Sequence, residues 1–153
     1  PPRCGGLADS RMDEQPVRDV FKIVEATVEQ LRPGIVYTHH GNDLNIDHRI
    51  VHQAVLTACR PLPSAPWRRI YAFETVSSTE WSGTSWPPYS PTHFVDITDT
   101  LAQKQAALGV YEAEMRSFPH ARSIENILAV TKFRGASVGV AAAEAFEVVR
   151  SIC

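Results

Sequence analysis

Apolar side chains recur along the chain with two periods, one typical of helices and one typical of strands. Spacings of three, four and seven residues between Val17 and Leu31 predict an amphipathic helix over about 16–32, which Pro33-Gly34 stops. The β-rich run 35–38 predicts a short buried strand. The same reasoning predicts further helices over about 48–59, 98–115 and 123–134, and further strands over about 69–74, 93–97 and 144–152.

This alternation of helices and strands is typical of an α/β fold in which helices flank a mainly parallel sheet. Functional loops in such sheets follow the carboxyl ends of strands, and the polar segment 39–48 comes directly after the strand 35–38. The segment 75–92 is too long for an ordinary connection and is a second candidate functional loop. A length of 153 residues predicts that residues 1–153 form a single domain.

Composition narrows the classes of function. Lys and Arg number 15 against 17 Asp and Glu, so the formal net charge of -2 predicts no generic affinity for nucleic acid or for an anionic membrane. No apolar run is long enough to predict a membrane span. Three widely separated cysteines without a CxxC pair argue against a disulfide framework and predict a reducing, cytoplasmic setting. Serine-hydrolase, dinucleotide-binding and P-loop motifs are absent from the sequence.

Histidines and aspartates cluster in one short segment. Four of the six histidines lie within residues 39–52, with Asp43 and Asp47 among them. Imidazole and carboxylate groups are good ligands for zinc and similar divalent ions. His48 follows Asp47 at the start of a predicted helix and is the strongest candidate metal ligand. His52 is interpreted as a surface or packing residue, because the glutamate of an HExxH motif is missing.

The run 38–49 (THHGNDLNIDHR) closely resembles the second motif of the LmbE/PIG-L family, which are zinc-dependent de-N-acetylases of N-acetylglucosamine-containing compounds. Shorter pieces resemble the family in the same order along nearly the whole chain: Asp9-x-Arg11-x-Asp13, Phe73-Glu74, 77–81, 94–97, 119–123 and 143–146. The resemblance implies a Rossmann-like sheet and one divalent metal ion with His48 as a ligand. The ion is zinc or iron, since His and carboxylate ligands serve both.

The sequence departs from the family pattern in two places. The family takes two further metal ligands and its general base from an N-terminal His-Pro-Asp-Asp-Glu motif, which these 153 residues do not contain. We therefore expect that the chain lacks the first strands of the sheet, that an N-terminal segment or a second chain completes the site, and that this chain alone is inactive. Many members also have a histidine where this sequence has Asn45, which leaves the identity of the general acid open.

The resulting hypothesis is a hydrolase that removes an acetyl group from an N-acetylated amino sugar, a small-molecule substrate. Asp47 would orient an imidazole or close an outer hydrogen bond, and Asn45 or His40 would donate to the developing oxyanion. Asp13 and Asp43 would accept hydrogen bonds from sugar hydroxyls.

Two further candidates for substrate binding each have an ordinary structural alternative. Trp81, like Trp86 in the same loop, would stack on a sugar face or would simply anchor the loop. Arg122 would pair with an anionic group of the substrate or would form a salt bridge near a helix N-terminus.

The alternative function is a non-catalytic remnant of this fold that binds a sugar-like ligand or a protein partner. A sheet without its first strands would expose an edge and an apolar face, so such a chain would associate, for example as a homo-oligomer. The discriminating feature is whether the native polypeptide or a companion chain carries the His-Pro-Asp-Asp-Glu segment.

Overall fold

The computed structural model describes residues 2–153 and contains four α-helices and four β-strands within them. In chain order these are α1 (Val17–Leu31), β1 (Ile35–His39), α2 (Ile46–Ala58), β2 (Arg69–Phe73), β3 (His93–Asp96), α3 (Leu101–Gly109), α4 (Ile124–Ala136) and β4 (Ala143–Ser151). Short 3-10 turns lie at Met12–Glu14 and Thr98–Thr100. Each predicted helix and strand is present.

The first helix forms where the apolar stripe predicts it and ends for a backbone reason. Pro16 precedes α1, where its fixed φ suits helix entry. Arg32 adopts the left-handed conformation (φ 46°, ψ 52°), and its N–H still reaches the carbonyl of Val28. Pro33 then has no N–H to continue the helix. The sequence therefore encodes both ends of α1 locally.

The helix predicted over about 98–115 is shorter in the structure. A 3-10 turn covers Thr98–Thr100, and α3 ends at Gly109. Beyond it, Val110 is 81% and Tyr111 is 63% exposed, so no apolar surface covers a continued helix. Short helices in water depend on such burial, because intrinsic propensity alone is too weak to sustain them.

Contacts divide the chain into two compact units. The first runs to Tyr89 and includes Glu147–Cys153, and the second is Ser90–Phe146. In the first unit, α1 and α2 pack with β2 around one buried apolar cluster: Val28, Val55, Ala58, Cys59, Trp67 and Ile70. A second cluster between the two helices contains Val20, Ile50 and Ala54. In the second unit, Gly135 of α4 permits a close approach, since a Cβ there would lie 2.7 Å from the carbonyl of Val140. The assignment of residues 1–153 to one domain stays a prediction.

The sheet has the strand order β1-β2-β4-β3. β1 runs parallel to β2, with Ile35 opposite Arg69 and His39 opposite Phe73. β3 runs antiparallel to β4. The predicted α/β class is confirmed, and the sheet is mixed, with β3 antiparallel to β4. Alternating helices and strands favour parallel pairing without dictating it, since a period-2 pattern identifies a strand and not its direction.

The parallel pairing of β1 with β2 also locates the loops. Carboxyl ends of parallel strands lie at the same edge of a sheet, so the loops that follow Phe73 and His39 start side by side. No helix within residues 2–153 is both long enough and apolar enough to cross a membrane.

Candidate active site

The loop from His40 to Asn45 connects β1 to α2 and is held at both ends. The N–H of His40 donates to the carbonyl of Phe73 at 3.1 Å, which extends the β1–β2 pairing past the strand. Asn45 is the N-cap of α2, because its side-chain oxygen accepts from the N–H of Asp47 at 2.9 Å. The helix therefore begins at Ile46, two residues earlier than predicted, and His48 lies in its first turn.

Asp43 is the most heavily hydrogen-bonded side chain of this loop. It is fully buried. One carboxylate oxygen accepts from Ser78 Oγ, from His48 Nδ1 at 3.0 Å and from the N–H of Asn45 at 3.0 Å. The other accepts from Thr79 Oγ1 at 2.8 Å. Burial by itself would raise the pKa of Asp43, but these hydrogen bonds outweigh it and lower the pKa to about 2. The carboxylate is therefore ionised at neutral pH.

The charge on Asp43 determines the tautomer of His48. An ionised carboxylate can only accept, so His48 Nδ1 carries a hydrogen, and in the neutral imidazole Nε2 has the free lone pair. A carboxylate behind the far nitrogen of an imidazole is the usual arrangement for a metal-ligating histidine. Within residues 2–153, no group of three or more His, Cys, Asp or Glu side chains lies close enough to hold a metal ion. The described residues thus fit one ligand position of the zinc or iron site that the resemblance implies.

The His39 ring packs against the ring of His48. The two rings stack with centroids 3.9 Å apart and an angle of 6° between their planes. Burial, and next the neighbouring imidazole of His48, lower the pKa of His39 to about 4, so this ring is neutral at neutral pH. His52 Nδ1 donates to the carbonyl of His39 at 2.7 Å, and its ring would lie 3.0 Å from a Cβ at Gly41. These contacts agree with a packing role for His52.

His40 has different surroundings from its neighbour in sequence. Its Nδ1 donates to the Glu147 carboxylate at 2.7 Å, and its ring meets Tyr89 edge-on at 5.3 Å. The side chain is almost completely buried, and in the described part of the chain Nε2 has no hydrogen-bond partner. Thr38 Oγ1, two residues earlier, is buried and unpaired in the same way. Sequence reasoning missed Glu147, since nothing local links it to a histidine 107 positions away.

The remaining predicted catalytic residues support the backbone. Asp47 is buried and accepts from the N–H of Met12 at 3.0 Å, which ties the first 3-10 turn to α2. The imidazole-orienting contact predicted for Asp47 is instead made by Asp43. The side-chain oxygen of Asn45 is engaged in the helix cap. Asp43 itself is too buried to meet sugar hydroxyls in this conformation.

The predicted substrate-binding residues lie in three different places. Asp13 is exposed in the 3-10 turn Met12–Glu14. Trp81 lies in the loop after β2 and is 51% exposed. Arg122 belongs to the second unit, where its guanidinium pairs with Glu114. For Arg122, this contact matches the salt-bridge alternative.

A turn in the loop after β2 presents the two hydroxyls that hold Asp43. Thr79 Oγ1 also accepts from the N–H of Thr75 at 2.7 Å. Ser77 has a positive φ of 67°, and the Glu80 carboxylate accepts from its N–H at 2.6 Å and from that of Ser78 at 3.3 Å. Glu80 thereby stabilises the turn. The run 77–79 is visible in the sequence, but the sequence offers no signal that its hydroxyls reach Asp43.

Comparisons with known proteins agree with this architecture. Residues 3–59, which include the whole loop after β1, match the PIG-L family model described as GlcNAc-PI de-N-acetylase. The pieces of resemblance beyond residue 59 lie outside that match.

Solved structures resemble the chain over almost its full length. A conserved protein from Thermus thermophilus has a TM-score of 0.71 at 21% identity, over 97% of this chain and 65% of that protein. The N,N'-diacetylchitobiose deacetylase from Pyrococcus horikoshii has a TM-score of 0.68 at 18% identity, over 94% of this chain and 55% of that protein. The 4-carboxy-2-hydroxymuconate hydratase from Pseudomonas putida has a TM-score of 0.68 at 18% identity, over 99% of this chain and 78% of that protein.

These similarities establish the fold. The chain spans less than two thirds of the Thermus and Pyrococcus proteins. Identities of 18–21% carry no reaction with them, and the matches include both a deacetylase and a hydratase. One fold therefore supports two chemistries, and the function has to be argued from the site.

Proposed function

We propose, from the match of residues 3–59 to the PIG-L family model, that this chain forms part of the active site of an amide hydrolase. The reaction is removal of the acetyl group from an N-acetylated amino sugar or an N-acetylglucosamine-containing conjugate. The named activity of the structurally similar Pyrococcus deacetylase supports this class of substrate.

The Asp43–His48 pair carries the proposal. A fully buried carboxylate is costly unless it is hydrogen-bonded, and this one accepts from donors in α2 and in the loop after β2. Its effect is to hold one imidazole rigidly with Nε2 ready to ligate a metal ion. A purely structural role explains less well why His48 is held in this tautomer while 19% of its side chain remains accessible.

The chain's own residues would bind, orient and exclude water. His48 would hold zinc, or iron, with further ligands from a segment that carries a His-Pro-Asp-Asp-Glu motif. When bound, the metal ion polarises an acetamide carbonyl and acidifies water. His39, neutral and stacked on His48, keeps the imidazole in place and shields it from solvent. His40, held by Glu147, is the candidate proton donor, since an amide such as that of Asn45 cannot act as an acid. With its Nδ1–H bonded to Glu147, His40 would deliver the proton from Nε2 of the doubly protonated ring.

The test is acetate release from N,N'-diacetylchitobiose. Intact-mass spectrometry of the native protein first establishes which polypeptides accompany this chain. Acetate release that stops with a chelator and returns with zinc is the expected result for the preparation that contains the motif. A preparation that contains the motif and zinc but releases no acetate contradicts the proposal.

One observation favours a second candidate, a binding module without turnover. Residues 2–153 bring together no three-ligand group, so these residues alone cannot hold zinc in the usual four-coordinate way. If native preparations contain this chain alone and bind an amino sugar without releasing acetate, the binding module is the correct function. A second copy of the chain would then be the natural cover for the exposed strand edge.

A further inference from the structure

One exposed tryptophan of the loop after β2 is tethered to the loop that carries the candidate site. The guanidinium carbon of Arg49 lies 4.9 Å from the centroid of the Trp86 ring. Arg49 follows His48 directly in the first turns of α2. Trp86 therefore lies against the residue next to the candidate metal ligand.

Arg49 is itself held in place. Its Nη1 donates to the carbonyl of Asp43 at 2.6 Å and to that of Leu44 at 2.7 Å. Since these two carbonyls belong to the site loop, the guanidinium that contacts Trp86 cannot move independently of it. A second tether acts beside Trp86, where Asn42 Nδ2 donates to the carbonyl of Pro87 at 3.2 Å.

Trp86 is nevertheless 42% exposed. The Trp86 ring contacts a guanidinium that is fixed to the site loop, its neighbour Pro87 is bonded to Asn42, and much of the ring surface still faces solvent. Such a side chain is suited to contact a ligand. An indole presents a rigid apolar face with little conformational entropy to lose, and the C–H face of a pyranose ring is apolar as well.

We propose that Trp86 is an aromatic platform for the pyranose ring of the N-acetylated sugar, with Arg49 as the residue that positions it. This inference rests on the proposed function, and it selects Trp86 over Trp81 as the stacking residue. The platform would bind the sugar ring while leaving the acetamide group for the Asp43–His48 side of the site.

The experiment measures the Kd of N,N'-diacetylchitobiose for the full chain by isothermal titration calorimetry. We expect Trp86→Ala to weaken binding about tenfold, the loss of one aromatic contact, and Trp86→Phe to restore most of it. Phe133→Ala is the matched control, because Phe133 is also exposed (65%) and has an arginine, Arg134, 5.7 Å from its ring centroid, but lies in the second unit. Its Kd should stay within about twofold of wild type.

The positioning role of Arg49 is tested by a double-mutant cycle with Trp86. If Arg49 positions Trp86, the losses from Arg49→Ala and Trp86→Ala are not additive in the double variant. Additive losses overturn the positioning role. A thermal unfolding curve for each variant identifies any that fail to fold, because unfolding of a single variant would also make the losses non-additive.

Three results overturn the platform. These are an unchanged Kd in Trp86→Ala, an equal loss in Phe133→Ala, and a larger loss in Trp81→Ala than in Trp86→Ala. In each of them acetate release by the motif-containing preparation still supports the proposed function. Absence of sugar binding together with absence of acetate release contradicts both.

Discussion

Two loops follow the parallel strands β1 and β2, and they contribute different groups to the candidate site. The loop from His40 to Asn45 is short, and it leads directly into the helix that carries His48. The segment 74–89 is long and polar, with an internal turn stabilised by Glu80. The first supplies Asp43 to the pair, and the second supplies the hydroxyls of Ser78 and Thr79.

The two loops differ in what they contribute: one forms the Asp43–His48 pair, and the other supplies the donors that keep Asp43 ionised. The Asp43–His48 pair lies within six residues of sequence, so local structure brings it together. The donors that keep Asp43 ionised while it is fully buried come from more than thirty residues away. A short motif can therefore place an imidazole and a carboxylate side by side, while a second loop determines how they ionise.

Removing the imidazole gives the largest expected effect. His48→Ala should abolish zinc binding and lower acetate release by about a thousandfold or more, because one metal ligand is lost. Zinc content by mass spectrometry and an acetate assay measure this. His52→Ala is the control on the same helix, and full zinc occupancy in His48→Ala would remove His48 from the metal site.

Neutralising the carboxylate tests the first loop next. Asp43→Asn keeps the shape but loses the charge that orients His48, so we expect a loss of about 10- to 100-fold in metal affinity or activity. The measurement is a zinc titration with a competing chelator. An affinity equal to that of wild type would mean that the Asp43–His48 contact has no functional role.

Acid titration should reveal the ionised carboxylate in the metal-free chain. The pKa of Asp43 is about 2 in the folded chain against 3.8 for an ordinary aspartate. The unfolded chain therefore binds more protons between these values, and stability that is present above pH 4 is lost as the pH falls towards 2. The contribution is roughly 2 kcal/mol. Thermal unfolding between pH 2 and 5 measures it, and an identical pH dependence in Asp43→Asn would contradict it.

Removing one hydroxyl tests the second loop. Thr79→Ala or Ser78→Ala should destabilise the fold by about 1–2 kcal/mol, since each removes a hydrogen bond to a buried charge. The pKa of Asp43 should rise in either variant, which carbon-13 NMR of the carboxyl carbon detects. Ser85→Ala, an exposed serine of the same loop, is the control. If Thr79→Ala, Ser78→Ala and Ser85→Ala have the same stability and the same pKa of Asp43, the two loops are not coupled.

The smallest effect concerns the neighbouring histidine. Glu147→Gln should leave the fold intact but weaken the preference of His40 for the tautomer with hydrogen on Nδ1, since an amide accepts less strongly than a carboxylate. Nitrogen-15 NMR of the imidazole distinguishes the tautomers. If His40 carries its hydrogen on Nε2 in the wild type, the assigned Glu147 contact is wrong.

Local signals account for most of the predicted secondary structure. The stripe from Val17 to Leu31 and the Arg32-Pro33 stop need no distant partner. The helix predicted to reach residue 115 shows the limit, because α3 ends at Gly109 where no surface covers it. The direction of each strand also cannot be inferred from the alternation of side chains, since this alternation is the same in parallel and antiparallel strands.

The candidate site divides in the same way. His48 and its segment are recognisable from residue types and spacing, because a metal-ligand motif on a loop and the helix turn after it is a local feature. The role of each side chain within that segment cannot be recognised from residue types and spacing. Asp43 accepts the hydrogen bond of the His48 imidazole, whereas Asp47, for which the sequence predicted an imidazole contact or an outer hydrogen bond, accepts from the N–H of Met12.

Local patterns in the sequence predict the order of helices and strands and the segment that holds the histidines. The run 38–49 resembles the LmbE/PIG-L family, and residues 3–59 match the PIG-L family model. Periodicity, capping residues and a short motif are local, and local structure is encoded where it is found. The contacts of Ser78 and Thr79 with Asp43, and of Glu147 with His40, arise only when the chain folds. Those contacts depend on which strands pair and where each loop folds back, and burial then sets the charge of each group.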